Sequence, residues 1–294
     1  MERQEQQEPQ EQQKKKTQEN PNMHKRYFLT SREQKLPLFI DSIGLNGQQE
    51  DVERPEGFPC FHWLQTIQGE GVMSFGGARF KLGENMGVLL PPGEPHSYNR
   101  RSEVWQTLYI TFDGPLCVSL IAALGLKSTS LYYWEQGNEL DEFGIRVLDS
   151  IASDRDLLGL DASSDMYRFL AMLKKHGRTG TLPSLYQQVE RTIPVLEYME
   201  QHYGNPSLGL GDMAAILGIS IRHLNSLFKQ SMGITAYACL IMIRMRKAKE
   251  LMTEFPGMPV RAIAERVGFR DSSHFVATFR RHEGVTPQQF RMLH

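Results

Sequence analysis

The sequence predicts a chain of the α+β class, with an antiparallel β-barrel in its first half and an all-helical second half. Short apolar segments separated by Gly and Pro clusters run from about residue 30 to residue 113, a spacing typical of antiparallel sandwiches and barrels. After Gly114-Pro115 the apolar residues recur three and four apart, which is the period of an amphipathic helix. Toward the carboxyl terminus one helical pattern occurs twice. With 294 residues the chain is long enough for two domains of the usual ~100–200 residues.

These patterns predict a tail and then the strands and helices of a first domain, in chain order. Residues 1–25 consist almost entirely of Gln, Glu, Lys, Asn and Pro, and a composition so poor in apolar surface predicts a disordered tail. The first domain is expected over residues 26–176, with strands and then helices. The strands are predicted at Phe61–Ile67, Val72–Phe75, Ala78–Leu82, Met86–Leu90 and Trp105–Phe112, and the helices at Leu116–Leu124, Glu139–Ile151 and Ala162–Lys175.

A segment rich in Gly, Thr and Pro, His176 to Ser184, marks the boundary between the domains. We therefore expect a linker over residues 177–188 and a helical domain over residues 189–294. Charge divides along the same boundary, since residues 191–294 carry 13 Lys and Arg against 8 Asp and Glu. A basic domain behind an acidic remainder is expected where one part of the chain contacts phosphates.

Cysteine usage and hydropathy narrow the class of protein further. The three cysteines, Cys60, Cys117 and Cys239, lie far apart. This spacing argues against a cysteine zinc site or a disulfide framework and fits a reducing compartment. The sequence shows neither a membrane-length apolar run nor a signal peptide. A cytoplasmic protein with no membrane association is the expectation.

The repeat lies in Leu210 to Thr235 and Val260 to Pro287, offset by 50 residues and then by 51. In each copy a short helix ends at a glycine, Gly218 or Gly268, whose freedom to adopt positive φ suits a sharp turn between helices. Ser220 and Ser272 are expected to cap the second helix of each copy. The apolar pairs Leu224 with Phe228 and Phe275 with Phe279 should face inward.

Two such copies in the basic end of the chain favour two helix-turn-helix units over a plain helical hairpin, which one copy alone would leave open. The amphipathic segment Tyr237 to Met252 between them would form a connecting helix about 24 Å long. That length could place two recognition helices in successive major grooves, ~34 Å apart.

These residues resemble the AraC/XylS family of bacterial transcription regulators. The second unit carries the stronger resemblance, through the Gly268-Phe269 turn, the aromatic-xxx-Phe pair, G-x-T-P and the closing Phe290-Arg291. The connector adds Arg244, Ala248 and Leu251 at the family spacing. The resemblance runs from about Val189 to His294 and implies double-stranded DNA as a partner.

The resemblance also implies which residues contact DNA. In the first unit the base-contacting positions are Arg222, His223, Asn225 and Ser226, where Arg suits guanine and Asn suits adenine. In the second unit they are Ser273, His274, Val276 and Ala277, which form no bidentate pair. We therefore expect the first helix to specify sequence and the second mainly to anchor. Phosphate contacts are expected from Lys229, Arg270, Arg280, Arg281 and the helix terminus at Ser272.

The segment from Phe61 to Tyr98 resembles the cupin-like sensor domain of the same family, through G-E-G, Gly76-Gly77 and the P-P-G-E-P-H that ends at His96. This resemblance implies a small-molecule effector, and aromatic rings with hydroxyls in a barrel mouth suit a sugar. Alternation along one strand puts Trp105, Thr107 and Tyr109 on one face. The expected ligand-contacting residues are His62, Gln68, His96, Tyr98, Trp105, Thr107 and Tyr109, although these aromatics could equally fill a small barrel.

Other classes of protein fit the residues less well. A metal-dependent cupin enzyme needs a further ligand beside His62 and His96, so neither a metal, a cofactor nor an enzymatic activity is expected. An alkyl-transfer DNA-repair protein needs a reactive cysteine cluster. A regulator whose first domain only dimerises stays open. The predicted helices at 116–124 and 139–151 carry an apolar stripe that suits a homodimer or packing within one chain: Leu116, Leu120, Ala123, Ile145, Leu148 and Ile151.

The sequence thus predicts a sequence-specific, ligand-responsive transcription regulator that forms a homodimer. Activation through RNA polymerase is the common mode implied by the resemblance, and repression stays open.

Overall fold

The computed structural model describes residues 24–28, 36–152, 159–180 and 183–293. The chain divides into two compact units at Thr181/Leu182, the first with all the strands and the second entirely helical. The predicted fold class is confirmed. The tail predicted over residues 1–25 lies outside the described residues except for His24 and Lys25, which begin the first strand.

Eight strands of the first unit form one antiparallel sheet in the order β1-β2-β7-β4-β6-β8, with β3 paired to β7 and β5 to β4. Three helices follow or interrupt them. The strands are β1 (His24–Phe28), β2 (Phe39–Asn46), β3 (Val52–Arg54), β4 (Phe61–Phe75), β5 (Ala78–Leu82), β6 (Met86–Leu90), β7 (His96–Asp113) and β8 (Ser130–Tyr133). The helices are α1 (Cys117–Ala123), α2 (Glu139–Ala152) and α3 (Leu160–His176).

Residues 68–71, expected as a turn between two strands, are part of the continuous strand β4. The pairing of β4 with β7 shifts register between Thr66 and Gln68 and again between Gly69 and Gly71, so the extra residues are absorbed as bulges that bend the strand. The long strands β4 and β7 pair along most of their length, and this bend wraps the sheet around an interior.

Two apolar clusters cover the two faces of this sheet. One lies inside and includes Leu64, Met73 and Trp105. The other is outside and packs Leu108, Ile110 and Phe112 of β7 against the helices. The predicted alternation along β7 is therefore confirmed. In the stripe considered for dimerisation, Leu148 is buried and Leu120, Ile145 and Ile151 are partly buried in this outer cluster, while Leu116 is 49% exposed.

The second unit contains eight helices among the described residues, α4 (Leu185–Glu190), α5 (Ile193–His202), α6 (Leu210–Ile216), α7 (Ile221–Met232), α8 (Ala236–Glu254), α9 (Val260–Arg266), α10 (Ser272–Glu283) and α11 (Pro287–Leu293). Helix α4 begins at Leu185 after a Ser184 capping box, so the end of the predicted linker is helical, and Arg178 at its start pairs with Tyr133 of β8. Residues 181–182 of the linker lie outside the described residues.

The connecting helix α8 has 19 residues, which makes it about 28 Å long. It contributes buried side chains to two separate cores. Leu240 and Ile243 pack with α5, α6 and α7, while Met245, Ala248 and Met252 pack with α9 and α10. Each core belongs to one helix-turn-helix unit, so α8 is the shared element of the domain.

Within the described ranges, no single helix has the length and apolar character needed to cross a membrane. The pair α7 and α8, bent by 62°, passes such a test only when its two helices are taken together, and only by length and composition.

Candidate nucleic-acid interface and ligand cavity

Helices α7 and α10 each bury one face and expose the other. Leu224 and Phe228 in α7, like Phe275 and Phe279 in α10, are fully buried, as the four-residue spacing predicted. In α7 the side opposite the buried face carries Arg222, Ser226 and Lys229, all exposed. At the same positions α10 carries Ser273, Ala277 and Arg280, also exposed. The two faces are equivalent in position but differ in chemistry.

The turns before these helices have the backbone that the glycines predicted. Gly218 has φ 62° and Gly268 has φ 81°, and both values lie in the left-handed region that favours glycine. Ser220 caps α7, since its Oγ accepts the His223 N–H at 3.2 Å.

In the second unit the expected cap at Ser272 is wrong. Asp271 caps α10 instead, because its Oδ1 accepts the His274 N–H at 2.7 Å. The second turn is one residue longer than the first, and a carboxylate at position 271 satisfies the free amide while also suiting the positive end of the helix dipole. Ser272 becomes the first helical residue and lies half-buried.

Asn225, expected to contact adenine, lies on the flank of α7 and is only half exposed. Its Oδ1 accepts the Ala236 N–H at the start of α8, at 3.2 Å. A bidentate pair with adenine requires both the oxygen and the nitrogen of the amide. The oxygen of Asn225 is already used within the protein, so Arg222 and Ser226 are better placed for base contact.

The exposed face of α10 forms one side of an open groove of about 830 Å³. Small and apolar side chains line it together with three guanidinium groups. The small side chains of this lining, Ser273, Val276 and Ala277, can contact a thymine methyl group or make a single hydrogen bond but form no bidentate pair with a base, and the guanidinium groups can contact phosphates. The lining residues are Val260, Arg261, Ser272, Ser273, Val276, Ala277, Arg280, Arg281 and Thr286.

The remaining predicted DNA contacts lie at or near the surface of the second unit. His223 and His274 are exposed at the starts of α7 and α10, and the His274 ring packs edge-on against Phe269 at 5.4 Å. Arg270 is exposed, although its Nη2 donates to Ser207 Oγ at 2.9 Å.

A polar cavity of about 570 Å³ lies in the first unit. Three of the seven expected ligand-contacting residues line it, His62, Tyr98 and Tyr109. Sequence reasoning missed the other ten lining residues, which come from β1, β2, β3, β7 and the loops beside β2 and β3. These are Arg26, Ser42, Asn46, Gln48, Gln49, Glu50, Val52, Arg54, Phe58 and Thr111.

The other four expected ligand contacts are not among the residues that line this cavity. Trp105 is fully buried and its Nε1–H donates to Thr66 Oγ1 at 3.0 Å. Thr107 is also fully buried and donates to Gln49 Oε1 at 2.6 Å. Gln68 is exposed at the bulge of β4. His96 lines a neighbouring depression of about 620 Å³.

His62 lies in the wall of the cavity and His96 in the neighbouring depression, and their ring centroids are 5.3 Å apart. Burial, the nearby Arg54 charge and His96 hold the pKa of His62 well below its usual value. Burial also lowers the pKa of His96, against the effect of its hydrogen bond to the Glu94 carbonyl. Both imidazoles are therefore neutral at neutral pH. The His62 Nδ1 can then accept from the Arg54 Nη1 at 3.4 Å.

In the part of the chain that the structure describes, no three or more His, Cys, Asp or Glu side chains come together in a way that could hold a metal ion. The wall that carries His62 and His96 supplies two imidazoles and a guanidinium, and the guanidinium is not a metal ligand.

Comparison with known proteins matches a family model to each domain. Residues 41–170 match the family described as AraC-like ligand binding domain, and residues 213–292 match the one described as helix-turn-helix domain. The chain is 24% identical over 253 residues to the arabinose operon regulatory protein of Salmonella typhimurium, covering 82% of this chain and 86% of that protein. It is 28% identical over 260 residues to the HTH-type transcriptional activator RhaS of Escherichia coli, covering 85% and 92%.

Among solved structures, the C-terminal domain of AraT, a response regulator from Geobacillus stearothermophilus, is 33% identical and covers 35% of this chain and 85% of that chain, with a TM-score of 0.34. The order of the two matched domains and the regulators that share it lead to one assignment. The chain belongs to the AraC/XylS family of DNA-binding transcription regulators, with a ligand-binding domain followed by a helix-turn-helix domain.

Proposed function

We propose that this regulator activates transcription when a small hydroxylated molecule, a sugar or a related metabolite, binds the cavity of its first domain. The hydroxyl, amide and aromatic groups that line the cavity support this ligand class, because such groups fix and stack polyhydroxylated molecules. Two of its relatives are named as an arabinose operon regulatory protein and as a transcriptional activator. We assign the protein no enzymatic role.

The single observation that carries the DNA-binding part of the proposal is the pair of equivalent exposed faces on α7 and α10. On α7, Arg222 can donate two hydrogen bonds to guanine O6 and N7, and Ser226 lies one turn further on the same face. On α10, Arg280 is the only long cation at the equivalent three positions. We propose that α7 reads the base sequence and that α10 anchors the protein to phosphates.

We further propose that the regulator works in the cytoplasm as a homodimer that contacts RNA polymerase. A dimer would place two pairs of recognition helices on a repeated DNA site. Leu116, just before α1, and Val118 on α1 are 49% and 68% exposed, and they offer apolar surface to a second copy. Sedimentation of the full chain at micromolar concentration tests this part, since a mass that stays monomeric would contradict it.

A gel shift tests the proposed DNA function. The full-length protein is titrated onto DNA from upstream of its neighbouring genes, at fixed salt and with random competitor. We expect specific retardation for the wild type and its loss for Arg222→Ala. Arg79→Ala removes the same charge from β5 of the other domain and should bind as the wild type does. Equal retardation of random DNA by the wild type would contradict specific binding.

A transcription reporter driven by the retarded fragment tests the direction of regulation. Expression that rises when the effector is supplied, and that stays low for Arg222→Ala, is the expected result. Expression that is highest without the regulator would show repression instead.

A further inference from the structure

One wall of the ligand cavity carries a guanidinium that forms no ion pair among the described residues. Arg54 lies half-buried on β3, where it pairs with His96 of β7. Its Nη1 lies 3.4 Å from His62 Nδ1, and its guanidinium carbon lies 4.8 Å from the centre of the Phe58 ring. None of the ion pairs found among the described residues includes Arg54. Most of its five N–H donors are therefore available to a ligand.

The charge of Arg54 acts on the titratable groups around it. It contributes, after burial, to the lowered pKa of His62 and His96. It also opposes the rise that burial causes in the pKa of Tyr98. Each of these effects has the sign expected of the positive charge of Arg54, while the Glu94 carboxylate acts on the pKa of His96 in the opposite direction. Since both histidines are neutral, they neither add to this charge nor cancel it.

Two further charges lie at the cavity. Arg26, on β1, is exposed and its guanidinium carbon lies 5.9 Å from the centre of the Tyr109 ring. Glu50 also lines the cavity, but it is exposed, so solvent screens its charge more than that of half-buried Arg54. The cavity thus has two cations against one exposed anion.

Polar side chains that line the same cavity suit hydroxyl groups. Ser42 Oγ and Thr111 Oγ1 are 2.6 Å apart, and Thr111 also donates to Asp41 Oδ2 at 2.9 Å. Asn46 Nδ2 donates to Gln49 Oε1 at 2.7 Å. The hydroxyls of Ser42 and Thr111 and the amides of Asn46 and Gln49 are neutral, ordered by these hydrogen bonds and able to exchange them with a polyol.

We propose that the effector carries an anionic group, a carboxylate or a phosphate, which binds the Arg54 guanidinium while its hydroxyls bind Ser42, Asn46 and Thr111. This inference rests on the proposed ligand-responsive function and names the ligand class for that cavity. A planar guanidinium matches a carboxylate or phosphate with two parallel charge-assisted hydrogen bonds, which are roughly twice as strong as neutral ones. Sugar acids and sugar phosphates share this chemistry, whereas a neutral sugar leaves the charge uncompensated.

Titration calorimetry on the full chain tests the ligand class. The probes are D-galactose, D-galacturonate and D-galactose 6-phosphate, together with the three corresponding D-glucose compounds. We expect an acid or a phosphate to bind at least about tenfold more tightly than its neutral parent sugar. Comparison of the sugar acid with the sugar phosphate shows which of the two anionic groups the cavity binds more tightly.

Variants at the cavity identify the responsible side chain. Arg54→Gln should remove the preference for the charged compound, while Arg54→Lys should keep part of it because the charge remains. Arg101→Gln removes an exposed charge elsewhere on β7 and should leave binding unchanged. Thermal unfolding of each variant, monitored by tryptophan fluorescence, confirms that the first domain is folded.

Three results would overturn the inference: a neutral sugar that binds as tightly as its charged counterpart, a preference that survives Arg54→Gln in folded protein, or no binding by any of the six compounds. The first result, with a reporter that still responds to the neutral sugar, would leave the proposed function intact. Absence of binding together with a reporter that responds to none of the compounds would contradict both.

Discussion

The buried guanidinium of Arg244 in α8 donates its Nε–H to the carbonyl oxygen of Tyr203 at 2.9 Å. Its Nη2 donates to the Asn205 carbonyl at 2.8 Å, and the group lies 5.6 Å from the centre of the Phe269 ring. Tyr203 ends α5, which packs in the core of the first helix-turn-helix unit, and Phe269 belongs to the turn of the second. A single side chain of the connecting helix thus contacts both units.

The first prediction concerns this link. Arg244→Met removes two charge-assisted hydrogen bonds, to the Tyr203 and Asn205 carbonyl oxygens, and we expect the free energy of unfolding of the second domain to fall by about 2–3 kcal/mol. Far-UV circular dichroism during urea unfolding measures it. Arg244→Lys can restore one of the two hydrogen bonds and should lose less. Unchanged stability in Arg244→Met would show that the guanidinium does not hold the two units together.

The two turn glycines form a matched pair for the second prediction. A Cβ at Gly268 would lie 2.3 Å from the Tyr203 carbonyl oxygen and 2.8 Å from the Arg244 Nη2, whereas a Cβ at Gly218 meets nothing within 4 Å. Gly218→Ala should cost about 1–2 kcal/mol from its positive φ alone. Gly268→Ala should cost at least about 2 kcal/mol more, because it adds the clash. Thermal unfolding measures the loss of stability in each variant. Equal losses would contradict the close approach of Gly268 to the Tyr203 carbonyl oxygen.

The third prediction distinguishes the structural role of Asn225 from the base-contacting role of Arg222. Asn225→Ala removes the acceptor of the Ala236 N–H and should lower stability by about 1 kcal/mol, with weaker binding to every DNA sequence alike. Arg222→Ala, at an exposed position, should leave stability within about 0.5 kcal/mol and reduce discrimination between sequences. Urea unfolding and competition gel shifts measure the two effects. Loss of adenine preference in Asn225→Ala at full stability would restore the base contact first expected for this residue.

The fourth prediction is a pH dependence of the first domain. The pKa of His62 is held well below its usual value by burial, then by Arg54 and His96, and the pKa of His96 is also lowered. The unfolded chain takes up protons near its ordinary pKa of about 6.5, while the folded domain excludes them. Stability is therefore full above about pH 6.5 and falls as the pH drops below it, by up to about 1.4 kcal/mol per pH unit for each histidine.

Tryptophan fluorescence isolates this effect, since Trp63, Trp105 and Trp134 are the three tryptophans of the chain and all lie in the first domain. Urea unfolding at about pH 7.5 and about pH 5.5 gives the loss of stability, and His62→Gln should reduce it. A wild-type domain equally stable at both pH values would contradict the buried neutral pair.

The recognition helices could be predicted from local pattern, because helical periodicity determines which face of α7 packs inward. The cap of α10 could not, since Ser272 and Asp271 are both good caps and the helix begins where the longer turn ends. The role of Asn225 also depends on a partner outside its own helix, the Ala236 amide.

In the first domain, long-range pairing limited what the sequence could predict. Gly69 and Gly71 resemble a turn, but a Cβ at Gly71 would lie 2.3 Å from the Trp105 ring, so this glycine makes room for a side chain of another strand. Arg54 lies on a three-residue strand whose position depends on its register with β7. Nothing local to Arg54 indicates that it reaches the cavity.

Selection from a randomised DNA library at fixed salt tests the central claim most directly, that α7 reads sequence and α10 anchors. We predict that Arg222→Ala loses about 1–3 kcal/mol of discrimination at the base pair it contacts. Arg280→Ala should select the same sequence as the wild type and bind every sequence more weakly by the same factor. The slope of its log affinity against log salt concentration should be smaller by about one, as expected for one lost phosphate contact. A selected sequence that changes more in Arg280→Ala than in Arg222→Ala would contradict the account.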